Sequence, residues 1–333
     1  MVALRWGIIS AGKISHDFVT ALRSFPEDEH DVIAVAARDL SRAQDFAKLH
    51  GIKKTYDDYE KLAMDKDIDI VYIGAIHPHH FNTALIVLHH NKHLLCEKPL
   101  TMYWYQTAKI VHFARGKKLF LMEGVWSRFF PVYDAIRKEI ASGSLGDIYQ
   151  VIVPFGFKMP DIDRITKKEL GGGTILDLGV YCLQFACLVY DNEEPESIQA
   201  SGCLNEDGVD MSMSATLLYK GNRTATIATS ALVDLPNEAR ICGTKGMITV
   251  PNFWCPTTAN LPSGPVNVPL PELKQETNYI NSAGLCYEIA EARACIQKGL
   301  TESSKMTLDT SMLLAKLEDE LRKQLGVKYS KLS

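Results

Sequence analysis

The chain has 333 residues, of which 46% are hydrophobic and 23% charged, with a formal net charge of -4. This composition is typical of a globular protein of about two domains, and it excludes a disordered, collagen-like or coiled-coil protein. The charges form no basic stripe, so no nucleic-acid partner is expected.

The cysteines and the chain ends predict a compartment. The eight cysteines include no Cys-x-x-Cys pair and no zinc-like spacing with histidine, which is typical of reduced thiols. The N-terminal residues show no signal-peptide pattern, and no apolar run reaches the roughly 18 residues of a membrane span. We therefore expect a cytoplasmic protein that binds no metal and no membrane.

Residues 1–125 alternate between apolar strand-like runs and helical periodicity. The predicted strands are residues 4–9, 32–37, 69–74, 93–96 and 119–122, and the predicted helices are 14–25, 40–50, 81–90 and 101–115. Nearly continuous apolar strands that alternate with helices predict a parallel sheet covered on both faces. The first domain is therefore predicted to be a doubly wound α/β domain of the Rossmann type.

The turn after the first predicted strand reads Ser10-Ala11-Gly12-Lys13-Ile14-Ser15. A dinucleotide-binding loop usually has glycine or a small residue at the first, third and sixth positions, for a tight turn, close approach to the pyrophosphate and helix–strand packing. Ser10, Gly12 and Ser15 occupy these positions, and the helix N-terminus that follows favours a phosphate. The alternative is an ordinary strand–helix turn.

The residues after the second predicted strand bear on the choice of cofactor. NAD-binding proteins usually place an acidic residue there for the ribose 2′-hydroxyl, whereas this chain has Arg38, followed by Asp39, Ser41 and Arg42. An arginine there can pair with the 2′-phosphate of NADP, so NADP(H) is expected. Alternatively, these residues form a solvated first helical turn in which Asp39 or Ser41 is the cap.

Residues 126–333 show a different pattern. Residues 148–157 are rich in residues that favour strands, and apolar and polar residues alternate with a period of two at 211–217 and 224–231. This period predicts a mainly antiparallel open sheet. Helices are predicted at 133–142, 178–190, 284–298 and 307–325, and the proline-rich segment 251–276 is predicted to be an irregular loop. The second domain is therefore predicted to be an α+β domain.

Two constellations carry candidate chemistry. Glu97-Lys98-Pro99 follows a buried strand, where ligands of open α/β sheets bind, although Lys98 could equally stabilise a loop. Asp177 and Tyr181 follow the triple glycine 171–173 and would share one face of a helix. They could bind a polyol through hydrogen bonds, or they could be an ordinary helix start and a packed ring.

Six segments together resemble the Gfo/Idh/MocA oxidoreductases, a family that includes glucose–fructose oxidoreductases and inositol dehydrogenases. The segments are residues 5–10, 35–43, 95–99, 120–123, 126–131 and 177–182, and the resemblance extends over nearly the whole chain. It implies hydride transfer between a nicotinamide and a secondary alcohol or hemiacetal carbon of a cyclic diol or an aldose. The open face of the C-terminal sheet would form a homodimer, since an uncovered apolar face needs a partner.

The resemblance also implies roles for single residues. Lys98 and Tyr181 would lie beside the nicotinamide, with Tyr181 as acid/base in place of the histidine of many relatives. A phenol has a pKa near 10, and a neighbouring ammonium such as that of Lys98 would lower it. The two residues could also exchange roles. Asp177 would bind a neighbouring hydroxyl, and the Lys98–Pro99 bond is expected to be cis.

The remaining expected contacts come from the same resemblance. The cofactor would contact Ser10, Gly12, Lys13, Ile14, Arg38, Arg42, His77, Glu97 and Lys98. The substrate would contact Asp177, Trp126 and Phe155, although core packing is the default for such aromatic rings. His77, His79 and His80 are not expected to bind a metal. Two alternatives stay open: a catalytically silent NADP-binding sensor, and a sugar oxidoreductase that never releases its cofactor.

Overall fold

The computed structural model describes residues 3–329. The outermost residues of the two predicted domains, 1–2 and 330–333, lie outside this range. The chain forms two compact units. The first contains the residues up to Thr101, Tyr105–Trp126 and Leu270–Leu308, and the second contains Met102–Trp104, Ser127–Pro269 and the residues from Asp309.

The first unit is built on a six-stranded sheet. Its strands are β1 (Leu4–Ile9), β2 (His30–Ala36), β3 (Lys54–Tyr56), β4 (Ile70–Ile73), β5 (His93–Glu97) and β6 (Leu121–Gly124). Their order is β3-β2-β1-β4-β5-β6, and every pairing is parallel. Strands β2 and β3 are added on one side of β1, and β4, β5 and β6 on the other side, so the strand order reverses between β1 and β4. In sheets of this order the ligand binds beyond the carboxyl ends of the strands at that point.

Helices connect these strands. They are α1 (Lys13–Leu22), α2 (Leu40–His50), α3 (Tyr59–Met64), α4 (His77–His89) and α5 (Trp104–Lys117). All of β4 and all but one residue of β1 are buried, as expected of interior parallel strands. The predicted α/β Rossmann domain is confirmed.

The second unit follows a short 3₁₀ turn, Trp126–Phe129. Its elements, in chain order, are α6 (Pro131–Ala141), β7 (Ile148–Gly156), α7 (Asp163–Thr166), α8 (Val180–Val189), β8 (Ser197–Leu204), β9 (Asp210–Tyr219), β10 (Arg223–Ser230), β11 (Glu238–Gly243), β12 (Met247–Pro251), β13 (Thr258–Leu261) and β14 (Gly264–Asn267). Two further helices follow along the chain, α9 (Leu285–Gln297), which belongs to the first unit, and α10 (Leu308–Leu325).

The strands of the second unit form an eight-stranded sheet in the order β14-β13-β12-β11-β7-β10-β9-β8. Only β7 and β10 pair in parallel among these neighbours, and the other pairings are antiparallel. The predicted α+β domain with a mainly antiparallel sheet is confirmed. Along β9 buried and exposed residues alternate, so one face packs inside the unit and the other faces solvent.

Sequence periodicity did not show where the segment Leu270–Leu308 would fold. It lies in the first unit, although the sequence alone suggests a single boundary between residues 125 and 126. The reason is that α9 packs against α1, close to the start of the chain.

One local prediction for the second unit was wrong, and one predicted helix has a different start. The segment 251–276 contains the hairpin β13–β14, whose edge position in the sheet tolerates Pro265. The helix predicted from residue 178 begins earlier, with a π-helical turn at Ile175–Gly179 that continues into α8.

The stretch Lys168–Val189, which includes α8, has the length and mean hydropathy, 1.5, of a membrane span. In its most apolar window, 94% of the residues are buried inside the protein. Such burial is expected of the core helix of a folded unit.

Candidate active site

The turn after β1 has the backbone of a dinucleotide loop. Ser10 takes the first glycine position with a φ of 82°, and its amide donates to the Ala36 carbonyl at 2.9 Å. Gly12 precedes α1, which has no side-chain cap. A Cβ on Gly12 would come no closer than 3.6 Å to other protein atoms, so the protein itself does not require a glycine there. The missing side chain and the uncapped N–H groups fit a phosphate at this helix end.

The sixth position of the loop packs a helix against a strand end. A Cβ on Gly74, the residue after β4, would lie 2.3 Å from the Ser15 Oγ. Both residues must therefore stay small for α1 to approach the sheet this closely. This is the packing role that the third glycine of such loops has.

Arg38 and Arg42 lie beyond the carboxyl end of β2, near Tyr59 and His79. Burial raises the pKa of Tyr59, and the charges of Arg38 and Arg42 oppose that rise. Burial lowers the pKa of His79, and Arg38 lowers it further. Two guanidinium groups therefore act on the same region of the first unit.

Asp39 is the N-cap of α2. Its carboxylate accepts hydrogen bonds from the Ser41 amide and hydroxyl, both at 2.9 Å, and these bonds lower its pKa. This arrangement corresponds to the capping alternative for Asp39. The carboxylate is thus already used in helix capping.

A cis peptide bond shapes the turn after β5, which carries Lys98, and two contacts hold it. The Lys98–Pro99 bond is cis, as expected from the resemblance. The Leu100 amide donates to the Glu123 Oε1 at 2.9 Å. The buried His80 ring lies between two carbonyl oxygens, that of Pro99 at 2.9 Å from Nδ1 and that of Ala75 at 2.8 Å from Nε2.

Glu97, at the end of β5, is also held from the sheet. Its Oε1 accepts a hydrogen bond from the Tyr72 hydroxyl at 2.7 Å, and its Oε2 accepts from the Lys98 amide at 3.3 Å. The Lys98 side chain is half-buried. The sheet therefore defines the backbone path through Lys98.

In the second unit, Asp177 lies in the π-helical turn and pairs with Arg164. The Arg164 Nη1 lies 2.5 Å from the Asp177 Oδ1, and the second pair of atoms is 3.3 Å apart. Asp177 is buried, whereas Arg164 is about one-third exposed. The carboxylate therefore has a two-pronged cationic partner from the segment around α7.

Tyr181, near the start of α8, lies against a cluster of aromatic rings. Phe155 on β7 meets Tyr181 edge to face, with 5.6 Å between ring centroids. Phe155 also contacts Trp254 at 4.8 Å and Phe253 at 5.1 Å. Phe157 extends the cluster by an edge contact with Trp254 at 5.4 Å. An apolar wall therefore borders the phenol.

Among residues 3–329, no three histidine, cysteine, aspartate or glutamate side chains are grouped so that they could hold a metal ion. His80 explains part of this result, since both of its ring nitrogens face backbone carbonyls.

Comparison with known families agrees with this arrangement. Residues 4–125 match the model of the oxidoreductase family with an NAD-binding Rossmann fold, and residues 133–249 match the Gfo/Idh/MocA C-terminal domain. The chain belongs to the Gfo/Idh/MocA oxidoreductase family. It is therefore an oxidoreductase that uses a nicotinamide cofactor.

Relatives match this member of the family over its full length. Trans-1,2-dihydrobenzene-1,2-diol dehydrogenase of Danio rerio is 46% identical over 330 residues, 99% of each chain. The human enzyme of the same name is 41% identical over 329 residues, 98% of each chain. In the crystal structure of aldose–aldose oxidoreductase from Caulobacter crescentus, 97% of each chain aligns, with a TM-score of 0.81 and 21% identity, a likeness of fold.

The predicted site residues divide between the two units. The first unit holds those expected at the cofactor: Ser10, Gly12, Lys13, Ile14, Arg38, Arg42, His77, Glu97 and Lys98. All of them lie at or just beyond the carboxyl ends of β1, β2, β4 and β5. The second unit holds Asp177, Tyr181 and Phe155, and Trp126 is the last residue of Tyr105–Trp126 in the first unit. The roles of these residues stay predictions.

Sequence reasoning missed several residues that support these positions. Arg164 and Asp210 approach the π-helical turn from distant parts of the chain. Glu123 and His80 hold the Lys98 turn, and the sequence suggested only a metal role for His80, which we rejected. Each forms contacts between residues at least 13 apart, except for one bond of His80, and periodicity carries no signal for such contacts.

Proposed function

We propose that the protein is an NADP-dependent dehydrogenase that oxidises a secondary alcohol or hemiacetal carbon of a trans-dihydrodiol or of an aldose such as D-xylose. The observation that carries this proposal is the 46% identity over 99% of both chains to a trans-1,2-dihydrobenzene-1,2-diol dehydrogenase. The presence of Lys98 and Tyr181, the residues proposed for proton transfer, favours an active enzyme over a silent sensor.

Two features of the first unit support NADP rather than NAD. Arg38 and Arg42 act on the same region beyond β2, where the ribose of a dinucleotide is bound in this fold. The Asp39 carboxylate already accepts hydrogen bonds from the Ser41 amide and hydroxyl. A 2′-phosphate would therefore meet two guanidinium groups, and a 2′-hydroxyl would have no carboxylate prepared for it.

The residues around α1 fit the pyrophosphate. The uncapped N-terminus of α1 and the open space at Gly12 would receive the phosphate groups, with Ser10, Lys13 and Ile14 lining the turn. When bound, the nicotinamide accepts a hydride from the substrate carbon. Glu97 and His77, at the ends of neighbouring strands, would border that half of the cofactor.

Tyr181 and Lys98 would then handle the proton. As the carbon–hydrogen bond of the substrate breaks, the hydroxyl on the same carbon must lose its proton, and Tyr181 accepts it as the phenolate. As the family resemblance implies, the Lys98 ammonium would favour the phenolate over the phenol and would stabilise negative charge on the substrate oxygen. In the reverse assignment Lys98, in its neutral form, accepts the proton. The pH–rate profiles of Tyr181→Phe and Lys98→Met distinguish the two assignments.

The second unit would select the substrate. Asp177, oriented by Arg164, accepts a hydrogen bond from a hydroxyl next to the reacting carbon. Phe155 and its aromatic neighbours offer a flat apolar surface next to Tyr181, which suits the ring of a dihydrodiol. Trp126 is proposed as a further wall of the substrate site.

The proposed assembly is a homodimer through the open face of the C-terminal sheet. Exposed apolar side chains on that sheet include Leu204, Leu218 and Met247. We expect a dimer in sedimentation velocity and a monomer for Leu218→Arg, because a charge would be buried in the interface. A wild-type monomer would overturn this part.

The proposed compartment is the cytoplasm, and no membrane partner is proposed. In the described residues no disulfide joins the cysteines, and six of the eight are buried. This suits a reducing compartment. Fractionation of cells that express the tagged chain tests it.

The experiment for the reaction follows formation of the reduced cofactor by absorbance, NADPH with NADP and, separately, NADH with NAD. The substrates are trans-1,2-dihydrobenzene-1,2-diol, D-xylose, D-glucose and myo-inositol. We expect turnover of the dihydrodiol or of D-xylose, with a higher kcat/KM for NADP. Binding of NADP without turnover of any substrate would favour the sensor, and cofactor retained through purification would favour the enzyme that never releases it.

A further inference from the structure

Asp210 is a buried carboxylate at the first residue of β9. Its Oδ2 accepts two hydrogen bonds, one from the Thr174 hydroxyl at 2.8 Å and one from the Ile175 amide at 2.7 Å. Its Oδ1 is buried and has no hydrogen-bond partner among residues 3–329. The hydrogen bonds of the carboxylate therefore all go to the start of the π-helical turn.

The approach of the chain to Asp210 leaves no spare room. Gly173 has a φ of +114°, and a Cβ on it would lie 2.3 Å from the Asp210 Oδ1. The Thr174 hydroxyl also contacts the Thr229 hydroxyl at 2.7 Å, on β10. Two strands of the sheet thus fix the residue that begins the turn.

The bond to Ile175 matters because of where this amide lies. Ile175 is the first residue of the π-helical turn, and the first amides of a helix have no acceptor within the helix. A carboxylate there supplies the acceptor and interacts favourably with the helix dipole. Asp177 follows two residues later, and Tyr181 lies on the α-helix that continues the turn.

Burial of the Asp210 carboxylate in this arrangement lowers the stability of the folded chain. Burying a carboxylate with one oxygen unbonded costs free energy, and an amide could accept the same two hydrogen bonds without a charge. Burial raises the pKa of Asp210 to about 6, in line with that cost. Tyr329 faces the same carboxylate, and its hydroxyl donates to the Gly172 carbonyl next to this turn.

We propose that Asp210 is a positioning residue that orients Asp177 and Tyr181 by anchoring the start of the π-helical turn. It is not a catalytic residue, since it acts only through Thr174 and Ile175. The consequence for catalysis rests on the proposed function, whereas the anchoring of the turn does not.

The first test compares Asp210→Ala with Asp210→Asn and with the matched control Glu139→Ala. Glu139 is also a carboxylate of the second unit that joins loops by hydrogen bonds, here to Ser144 and Ser263. A misplacement near 1 Å costs about a hundredfold in rate, so we expect kcat of Asp210→Ala to fall between about tenfold and about a hundredfold. Asp210→Asn keeps an oxygen acceptor and should regain most of that loss.

Two readouts distinguish positioning from a loss of structure. The NADPH dissociation constant, measured by fluorescence, should be unchanged, because Asp210 lies outside the unit that carries the cofactor residues. The solvent deuterium isotope effect on kcat should increase in Asp210→Ala, because proton transfer from a displaced hydroxyl becomes slower. Equal losses in kcat and cofactor binding, shared by Glu139→Ala, would overturn the proposal.

Hydrogen–deuterium exchange tests the anchor without any substrate. Amides of residues 174–181 should exchange faster in Asp210→Ala than in the wild type, and at the wild-type rate in Glu139→Ala. If Asp210→Ala does not fold, Thr174→Val removes one of the two donors and should give a smaller change of the same kind. Unchanged exchange in a folded variant would overturn the proposal, whereas a wild type without turnover would overturn only the proposed function.

Discussion

In the first unit every candidate cofactor residue lies at or a few residues beyond the end of a strand, whereas in the second unit Asp177 and Tyr181 follow no strand. The first set is supported by bonds between neighbouring strands and their turns, such as that of the Glu97 carboxylate with the Tyr72 hydroxyl. The second set depends on Arg164, 13 residues from its partner, and on Asp210, 35 residues from its partner.

The comparison indicates a division of labour. A strand–turn–helix unit repeats the same geometry wherever it occurs, so a binding edge for a common cofactor follows from the fold itself. A π-helical turn is rare and depends on its surroundings, and such turns often occur at functional sites. Residues that determine the substrate are therefore expected on the π-helical turn of the second unit, which depends on contacts specific to this chain.

The largest expected effect comes from Tyr181→Phe. Loss of the proposed proton acceptor should reduce kcat by about a hundredfold to ten-thousandfold, the range for general acid–base groups. NADPH binding should be unchanged, and Tyr149→Phe, an exposed tyrosine on β7, is the control. Near-normal turnover by Tyr181→Phe would assign the proton transfer to Lys98 instead. The proton acceptor would then belong to the first unit and not to the second.

The next effect concerns stability and pH. Burial raises the pKa of Asp210 from 3.8, its ordinary value, to about 6 in the folded chain. Its contribution to stability is therefore fully present below about pH 3.8 and is lost as the pH rises through 6. Between pH 4 and pH 7 the unfolding free energy of the wild type should fall by about 2 kcal/mol relative to Asp210→Asn.

Denaturant unfolding of both proteins at each pH measures this difference. Buried histidines of the first unit act in the opposite sense: burial lowers the pKa of His30 and of His50 to about 4. Their stabilisation is present above pH 6.5 and is lost as the pH falls, and it cancels in the comparison of the two proteins. A pH-independent difference would mean that Asp210 has an ordinary pKa.

A smaller effect is expected from Arg38→Met. Loss of a charge-assisted hydrogen bond of about 1.5–3 kcal/mol should weaken NADP binding by roughly tenfold to a hundredfold. NAD binding should change little, since NAD has no 2′-phosphate. Titration with both cofactors measures the ratio, and Arg240→Met, an exposed arginine of the second unit, is the control. Equal weakening for both cofactors would remove the argument for NADP.

The smallest effect is expected from Arg164→Met. Asp177 would keep its place in the turn but lose its orienting partner, so KM for the diol should rise severalfold, the equivalent of about 1 kcal/mol. The kcat should change less, because Tyr181 is untouched. Steady-state kinetics with the dihydrodiol and D-xylose check this, with Lys167→Met, an exposed neighbour, as the control. A fall in kcat without a change in KM would place Arg164 in the anchoring of the turn.

Much of the first unit was predictable from residues close in sequence. The period of the apolar residues indicated a parallel sheet, and the loop with Gly12 was recognised because it lies between a strand and a helix. The hairpin β13–β14 was missed because its prolines suggest a loop, while its position at the sheet edge, which makes them acceptable, is a tertiary property.

The sequence by itself determined the fold class of both units, the family and the identity of the candidate reactive groups, because these depend on local periodicity and on short motifs. Tertiary structure alone decided that α9 belongs with the first unit and that Asp177 lies in a π-helical turn held by Arg164 and Asp210. The last of these depends on hydrogen bonds and charges between residues far apart in the chain, and their energies exist only after the chain has folded.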